Sequence, residues 1–218
     1  MGIEEIKSPN SIYGLSSLPN EQKSINNNKP NLLFEPAPKK KTTGIEIKPS
    51  SQKSAKLCKQ WGAFFKNAGR DPMPQNFFNK VEKAAKQINC PMEDLLAIIY
   101  MESAFDTKAK KVDSSGNTHC GLIQMDKTAF ELAKGEGDKT SFSTYRNAKY
   151  PMQLDYGAKY LLFRKNEKNL KGRLSGGQIR ILILKPKYIS DKNEIAKAQK
   201  IINKIKKDVS KADKPKKK

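Results

Sequence analysis

The sequence predicts a mainly α-helical domain with a small β or loop element, preceded by a disordered arm and followed by a basic C-terminal helix. Three observations carry this expectation. Apolar residues recur at helical spacing through most of the chain beyond Cys58. One interruption, KKVDSSGNTHCG, has the composition of a turn. The first 55 residues, with SINNNKPN, EPAPKKKTT and KPSSQKS, lack sustained apolar periodicity, so burial cannot offset the entropy of ordering them.

The expected organisation is therefore an arm over residues 1–55, a domain over 56–190, and a basic helix and tail over 191–218. Within the arm NLLFEP is a short apolar patch, either incidental or a docking point for a partner. WGAFF leads into a break at DPMP, after which Phe77, Phe78, Val81, Ala84, Ala85 and Ile88 mark one face of a helix. Asn89 or Cys90 before Pro91, with Glu93 and Asp94 in the first turn, starts the next helix, which Leu95, Leu96, Ile98 and Ile99 continue. Gly116-Asn117 is the expected tip of a loop or small hairpin. Asp126 is placed to cap KTAFELAKG, which Gly135 ends. After a polar loop, PMQLDYGAKYLLFRK restores helical periodicity, whereas QIRILILKP is ambiguous between helix and strand. Finally, DKNEIAKAQKIINKIKKDV opens with capping-box residues Asp191 and Glu194 and reads as a basic amphipathic helix before the solvated KADKPKKK.

Composition narrows the function classes. The 218 residues suit one core, and an apolar content of 36% leaves part of the chain outside it. Lys and Arg number 43 against 22 Asp and Glu, and a net charge of +21 attracts polyanions: nucleic acid, anionic lipid or an anionic cell wall. MGIEEIKSPNSIYGL lacks the basic and apolar regions of a secretory signal peptide. No run approaches the roughly 20 apolar residues of a membrane span. Cys58, Cys90 and Cys120 are too scattered for a disulfide framework or a zinc site and are expected to be reduced core thiols. No metal or organic cofactor is expected.

One residue raises a chemical question. In YMESAFD, Glu102 follows the apolar run LLAII, three and four residues beyond Ile99 and Ile98 and so on their side of the helix. Apolar surroundings disfavour the ionised carboxylate and suit an acid that must donate a proton near neutral pH. A helix-end glutamate that reaches out to water is the alternative.

Downstream residues bear on the choice. Glu102-Ser103, a polar loop and then Gly121-Leu122-Ile123-Gln124 resemble the E-S and G-L-M-Q or G-L-I-Q motifs of the soluble lytic transglycosylase and goose-type lysozyme families. AFDTKAK and DKTAF fit the stretches that follow those motifs. NTHCGLIQMDKTAFELAKGEG, PMQLDYGAKYL and ILILKP are especially similar to lysozyme-like domains of phage virion and tail proteins, and the resemblance spans roughly residues 75–188. It implies a lysozyme-like (α+β) fold in which Glu102 protonates the glycosidic oxygen between N-acetylmuramic acid and N-acetylglucosamine and then acts as base. In the transglycosylase version the 6-hydroxyl of muramic acid attacks its own C1, giving a 1,6-anhydro end with no second carboxylate. The goose-type version uses water and further aspartates, for which Asp126 and Asp113 are the candidates.

The same resemblance implies that Ser103 supports the acid or contacts substrate, that Gln124 lines the sugar cleft, that Gly121 allows close backbone approach, and that Ile123 belongs to cleft wall or core. Each has a plainer reading: a helix-end hydroxyl for Ser103, an N-cap for Asp126, a solvated turn for Asp113. The family's A-Y-N-A-G segment is missing, LSGGQIRILIL standing in its region, so Tyr156, with Tyr145 and Tyr160, is either a substitute contact or packing. His119-Cys120 also departs from the small residues usual before the glycine.

Three functions stay open: a lytic transglycosylase, a hydrolytic muramidase, and a catalytically inactive lysozyme-like virion protein that binds wall or nucleic acid. Peptidoglycan glycan strands are the expected partner. Lys39 to Lys41, KPKKK and the C-terminal helix extend the list to an anionic wall polymer, a membrane surface or nucleic acid, and the virion resemblance adds virion or secretion-apparatus proteins. The expected site of action is the wall or periplasm after synthesis in the cytoplasm, reached through a particle, a holin or a secretion apparatus.

Overall fold

The computed structural model describes residues 47–213. NLLFEP, Lys39 to Lys41 and the final KPKKK lie outside the described residues, as does most of the expected disordered arm.

Helical structure begins inside the segment expected to be disordered. Helix α1 (Gln52–Asn67) has its first turn closed by Ser51, whose side chain accepts from Ser54 N. The serines that read as disorder-promoting are anchors here. Ser50 and Ser51 hydroxyls donate to Glu82, and the Ser54 hydroxyl donates to Asn79 Oδ1 at 2.9 Å. Burial pushes the Glu82 carboxyl up, but hydrogen bonds from Ser50, Lys86 and Ser51 bring it below its ordinary value.

Both acceptors sit on α2 (Gln75–Ile88), whose Phe77, Phe78, Val81, Ala84, Ala85 and Ile88 are all buried, as their spacing predicts. Pro91 then precedes α3 (Met92–Ser103). This helix is buried nearly all round, from Met92 through Ile99, and packs against α2 and two later helices, so it runs through the middle of the core. An antiparallel hairpin follows, β1 (Lys110–Val112) paired with β2 (Thr118–Cys120), with its turn at Gly116. Asp126 caps α4 (Lys127–Ala133).

The expected polar loop contains a helical turn, α5 (Phe142–Arg146), capped by Ser141 and anchored by the buried Tyr145. Its shortness hid it from periodicity. Tyr145 packs with Phe130 of α4 and with Tyr156 of α6 (Tyr150–Glu167). The ambiguous run resolves as a helix, α7 (Gly176–Leu184), started by a capping box in which Ser175 and Gln178 bond reciprocally. A 3-10 turn (Pro186–Tyr188) leads to α8 (Lys192–Ala212), where Asp191 accepts from Asn193 N and Glu194 N.

The C-terminal helix is no separate appendage. Ala198, Ile202 and Val209 are buried where α8 packs on α1, α3 and α7, so described residues on both sides of the expected 190/191 boundary belong to one unit. Its apolar stripe is thereby used within the fold rather than left for a bilayer. Among the described residues no helix is long and apolar enough to cross a membrane. All three cysteines are free thiols, Cys90 and Cys120 buried and Cys58 half-buried.

Candidate active site at the end of helix α3

Ile98 and Ile99 are fully buried, and the same helix face carries Glu102 inward one turn later, leaving its side chain 11% exposed. The chain then leaves α3 sharply. Ala104 and Phe105 both adopt positive φ, at 50° and 66°, which side-chain-bearing residues rarely take. Packing holds this exit. The Phe105 ring lies 4.9 Å from those of Trp61 and Phe77 and 5.3 Å from that of Phe65, while Arg70 Nη2 donates to Ala104 O at 2.8 Å. Strain of this kind, imposed next to an inward carboxylate, belongs with sites whose geometry is functional.

No described residue donates a hydrogen bond to the Glu102 carboxylate, and its nearest charged partner is Arg180 of α7, with Nε 4.0 Å from Oε1. Burial pushes the Glu102 carboxyl above its ordinary value, and the positive charges of Arg180, Lys111 and His119 pull it back only in part. Lys111 and His119 are paired across the hairpin, and both act on Glu102 electrostatically.

His119 ties that hairpin together. Its Nε2 lies 3.1 Å from Asp113 Oδ2 and its Nδ1 3.2 Å from Gln124 O. Asp113 also accepts from the backbone N–H groups of Ser115 and Asn117 and from the Asn117 side chain. Hydrogen bonds from His119 and Asn117 hold its carboxyl well below the usual carboxylate range. Asp113 is thus a turn-building anion, poorly suited to take a proton. Asp126 spends Oδ1 on Ala129 N at 2.7 Å, as an N-cap does.

The segment after the hairpin is fixed from behind. Gln153, on α6 and buried, accepts from Leu122 N at 3.1 Å and donates to Thr107 O and Ala148 O. Gly121 has φ 77°, and a Cβ there would come 2.7 Å from Gln153 Oε1, so the glycine is needed both for its turn and for this approach. Gln124, at φ 52°, donates from Nε2 to Ala109 O and Gly121 O. The hairpin thus acts on Glu102 electrostatically and is joined through His119 to the Gly121–Gln124 loop.

Compared with models of protein families, with curated proteins and with solved structures, the chain matches none. The site is therefore read from its own geometry, and three expected substrate contacts are committed elsewhere. Ser103 is buried and donates to Ile99 O at 3.0 Å, the helix-end reading. Ile123 is buried against Gly157 of α6 and is core. Tyr156 is buried and donates from its hydroxyl to Asp138 Oδ2 at 2.6 Å.

Two residues of the site were not anticipated, Arg180 and Gln153. Arg180 left a signal: it is the lone charge in GGQIRILIL, as Glu102 is the lone charge after LLAII, and two opposite charges on apolar helices invite pairing. Gln153 left none, because two of its three partners, Leu122 N and Thr107 O, lie in loops distant in sequence. Two cavities, of about 570 Å³ between α1, α3 and α8 and about 450 Å³ beside α5, lie elsewhere, and Glu102 is in the wall of neither. Among the described residues no group of three His, Cys, Asp or Glu could hold a metal. What the arrangement offers is proton transfer by one carboxyl group whose burial keeps it protonated to higher pH than usual.

Proposed function

We propose that the protein cleaves peptidoglycan glycan strands at the N-acetylmuramic acid β-1,4 N-acetylglucosamine bond, within a lysozyme-like domain. The observation that carries this reading is Glu102, its side chain only 11% exposed, accepting no hydrogen bond from a described residue and with its carboxyl raised above the ordinary value, within electrostatic reach of the hairpin that His119 ties to the Gly121–Gln124 loop. Glu102 gives its proton to the glycosidic oxygen as the C1–O bond breaks. The 6-hydroxyl of the muramic acid then attacks C1, and the Glu102 carboxylate takes the proton that hydroxyl releases. The product is a 1,6-anhydro end and a free N-acetylglucosamine terminus.

Transglycosylation is favoured over hydrolysis because both candidate second carboxylates are occupied. Asp113 is consumed by the hairpin and Asp126 by α4, whereas hydrolysis in the two-carboxylate scheme needs an acidic partner to activate water or form a covalent intermediate. The +21 charge would concentrate the protein on a wall bearing carboxylates and phosphates, in a manner weakened by salt. Delivery by a virion or secretion apparatus belongs to the same proposal.

Mass spectrometry of muropeptides released from purified sacculi tests it. Anhydro-muramic ends are expected. Reducing ends would replace the transglycosylase reading with a muramidase, and sacculi left intact by the folded protein would leave a binding module.

A further inference from the structure

We infer that Arg180 is a positioning residue for Glu102, an interior countercharge that orients the carboxyl and stabilises the carboxylate formed when its proton leaves. This rests on the function proposed above and adds to it a residue that neither motif contains.

The geometry is specific. The two side chains are 9% and 11% exposed, and Arg180 Nε stands 4.0 Å from Glu102 Oε1, a distance for charge attraction rather than a shared proton. Desolvation raises the acid's hold on its proton, and the guanidinium favours the anion. Lys111 of β1 and His119 of β2 also act on Glu102 electrostatically, but Arg180 is the strongest of the three and the only one on a helix.

The fold invests in placing that helix. Asp94 of α3 accepts from Gly176 N at 2.9 Å, and Gly177 N donates to Gln199 Oε1 of α8 at 2.8 Å. A Cβ on Gly176 would meet Asp94 and Ile202, and one on Gly177 would collide with the Ile195 carbonyl, so the glycine pair lets α7 close against both helices. The N-terminus of α7 is thereby pinned to the start of α3, and Arg180 falls one turn further along, against the end of α3. The C-terminal helix, whose apolar stripe packs on the domain, braces the countercharge.

Titration of the full chain labelled with carboxyl-13C glutamate tests this directly, the Glu102 resonance being the one lost in Glu102→Gln. In Arg180→Met the Glu102 midpoint should move upward, and in Arg180→Lys it should lie between wild type and Met. On sacculi the Met variant should lose about 10- to 100-fold in kcat/KM at neutral pH, its alkaline limb moving with the titration. If Arg180→Met does not fold, the double variant Glu102→Gln with Arg180→Met should recover stability, because neither charge is then left alone in the interior. A midpoint unchanged in folded Arg180→Met, or a double variant no more stable than the single, would overturn the inference. A moving midpoint in a wild type that leaves sacculi intact would instead overturn the catalytic reading alone.

Discussion

Helix α3 carries a buried acid at each end, and the two are treated oppositely. Asp94, in the first turn, has a 5% exposed side chain whose oxygens are both used, Oδ1 by Lys206 Nζ and Oδ2 by Gly176 N. Glu102, in the last turn, accepts no hydrogen bond from any described residue and meets its cation only at 4.0 Å. A fully bonded interior carboxylate ties helices together. One that is desolvated and accepts no hydrogen bond from the protein favours its neutral form, the form from which a general acid acts. The difference teaches that two acids shielded on one helix are told apart by whether the protein bonds their oxygens.

Removing the bonded acid should have the largest effect on stability. Asp94→Ala leaves Lys206 and Gly176 N without their partner and is expected to cost about 3 kcal/mol in urea unfolding. A loss no greater than that of an exposed substitution would break the contrast. Gln153→Leu strands Leu122 N and two carbonyls behind the candidate site, and about 2 kcal/mol in thermal unfolding is expected, with faster amide exchange at Leu122. Gly121→Ala meets both the positive φ and Gln153 Oε1, for about 1–2 kcal/mol by the same measurement.

The smallest effect sharpens the comparison through pH. Because folding raises the Glu102 carboxyl, its contribution is fully present below the unfolded value of about 4.3 and is lost as pH rises through the folded value. Glu102→Gln removes that dependence, so the variant should gain on wild type as pH increases across this window in urea titrations. Parallel curves would mean that Glu102 titrates as it does in the unfolded chain.

Much of the scaffold was legible because it rests on local rules. Asp126 as a cap, Gly116 at the hairpin turn and the apolar face of α2 each follow from neighbours within a turn or two. The start of α1 was misjudged because Ser50, Ser51 and Ser54 have disorder-like composition, and only the distant Asn79 and Glu82 make them anchors. The run QIRILIL was undecidable because a segment buried on several sides loses its period, and the Gly-Gly approach to α8 that settles it is tertiary. Glu102 was legible from the apolar residues one turn before it. Its countercharge and the Gln153 staple were not, since each joins elements that meet only in the folded chain.

The central claim is that Glu102 is the proton donor, and the rate of glycan-strand cleavage by Glu102→Gln on purified sacculi tests it most directly. Glutamine keeps the size of the side chain and has no acidic proton to give. The account predicts a loss of about 10³-fold or more with unfolding behaviour at least as good as wild type. A folded Glu102→Gln protein that cleaves at the wild-type rate would contradict it.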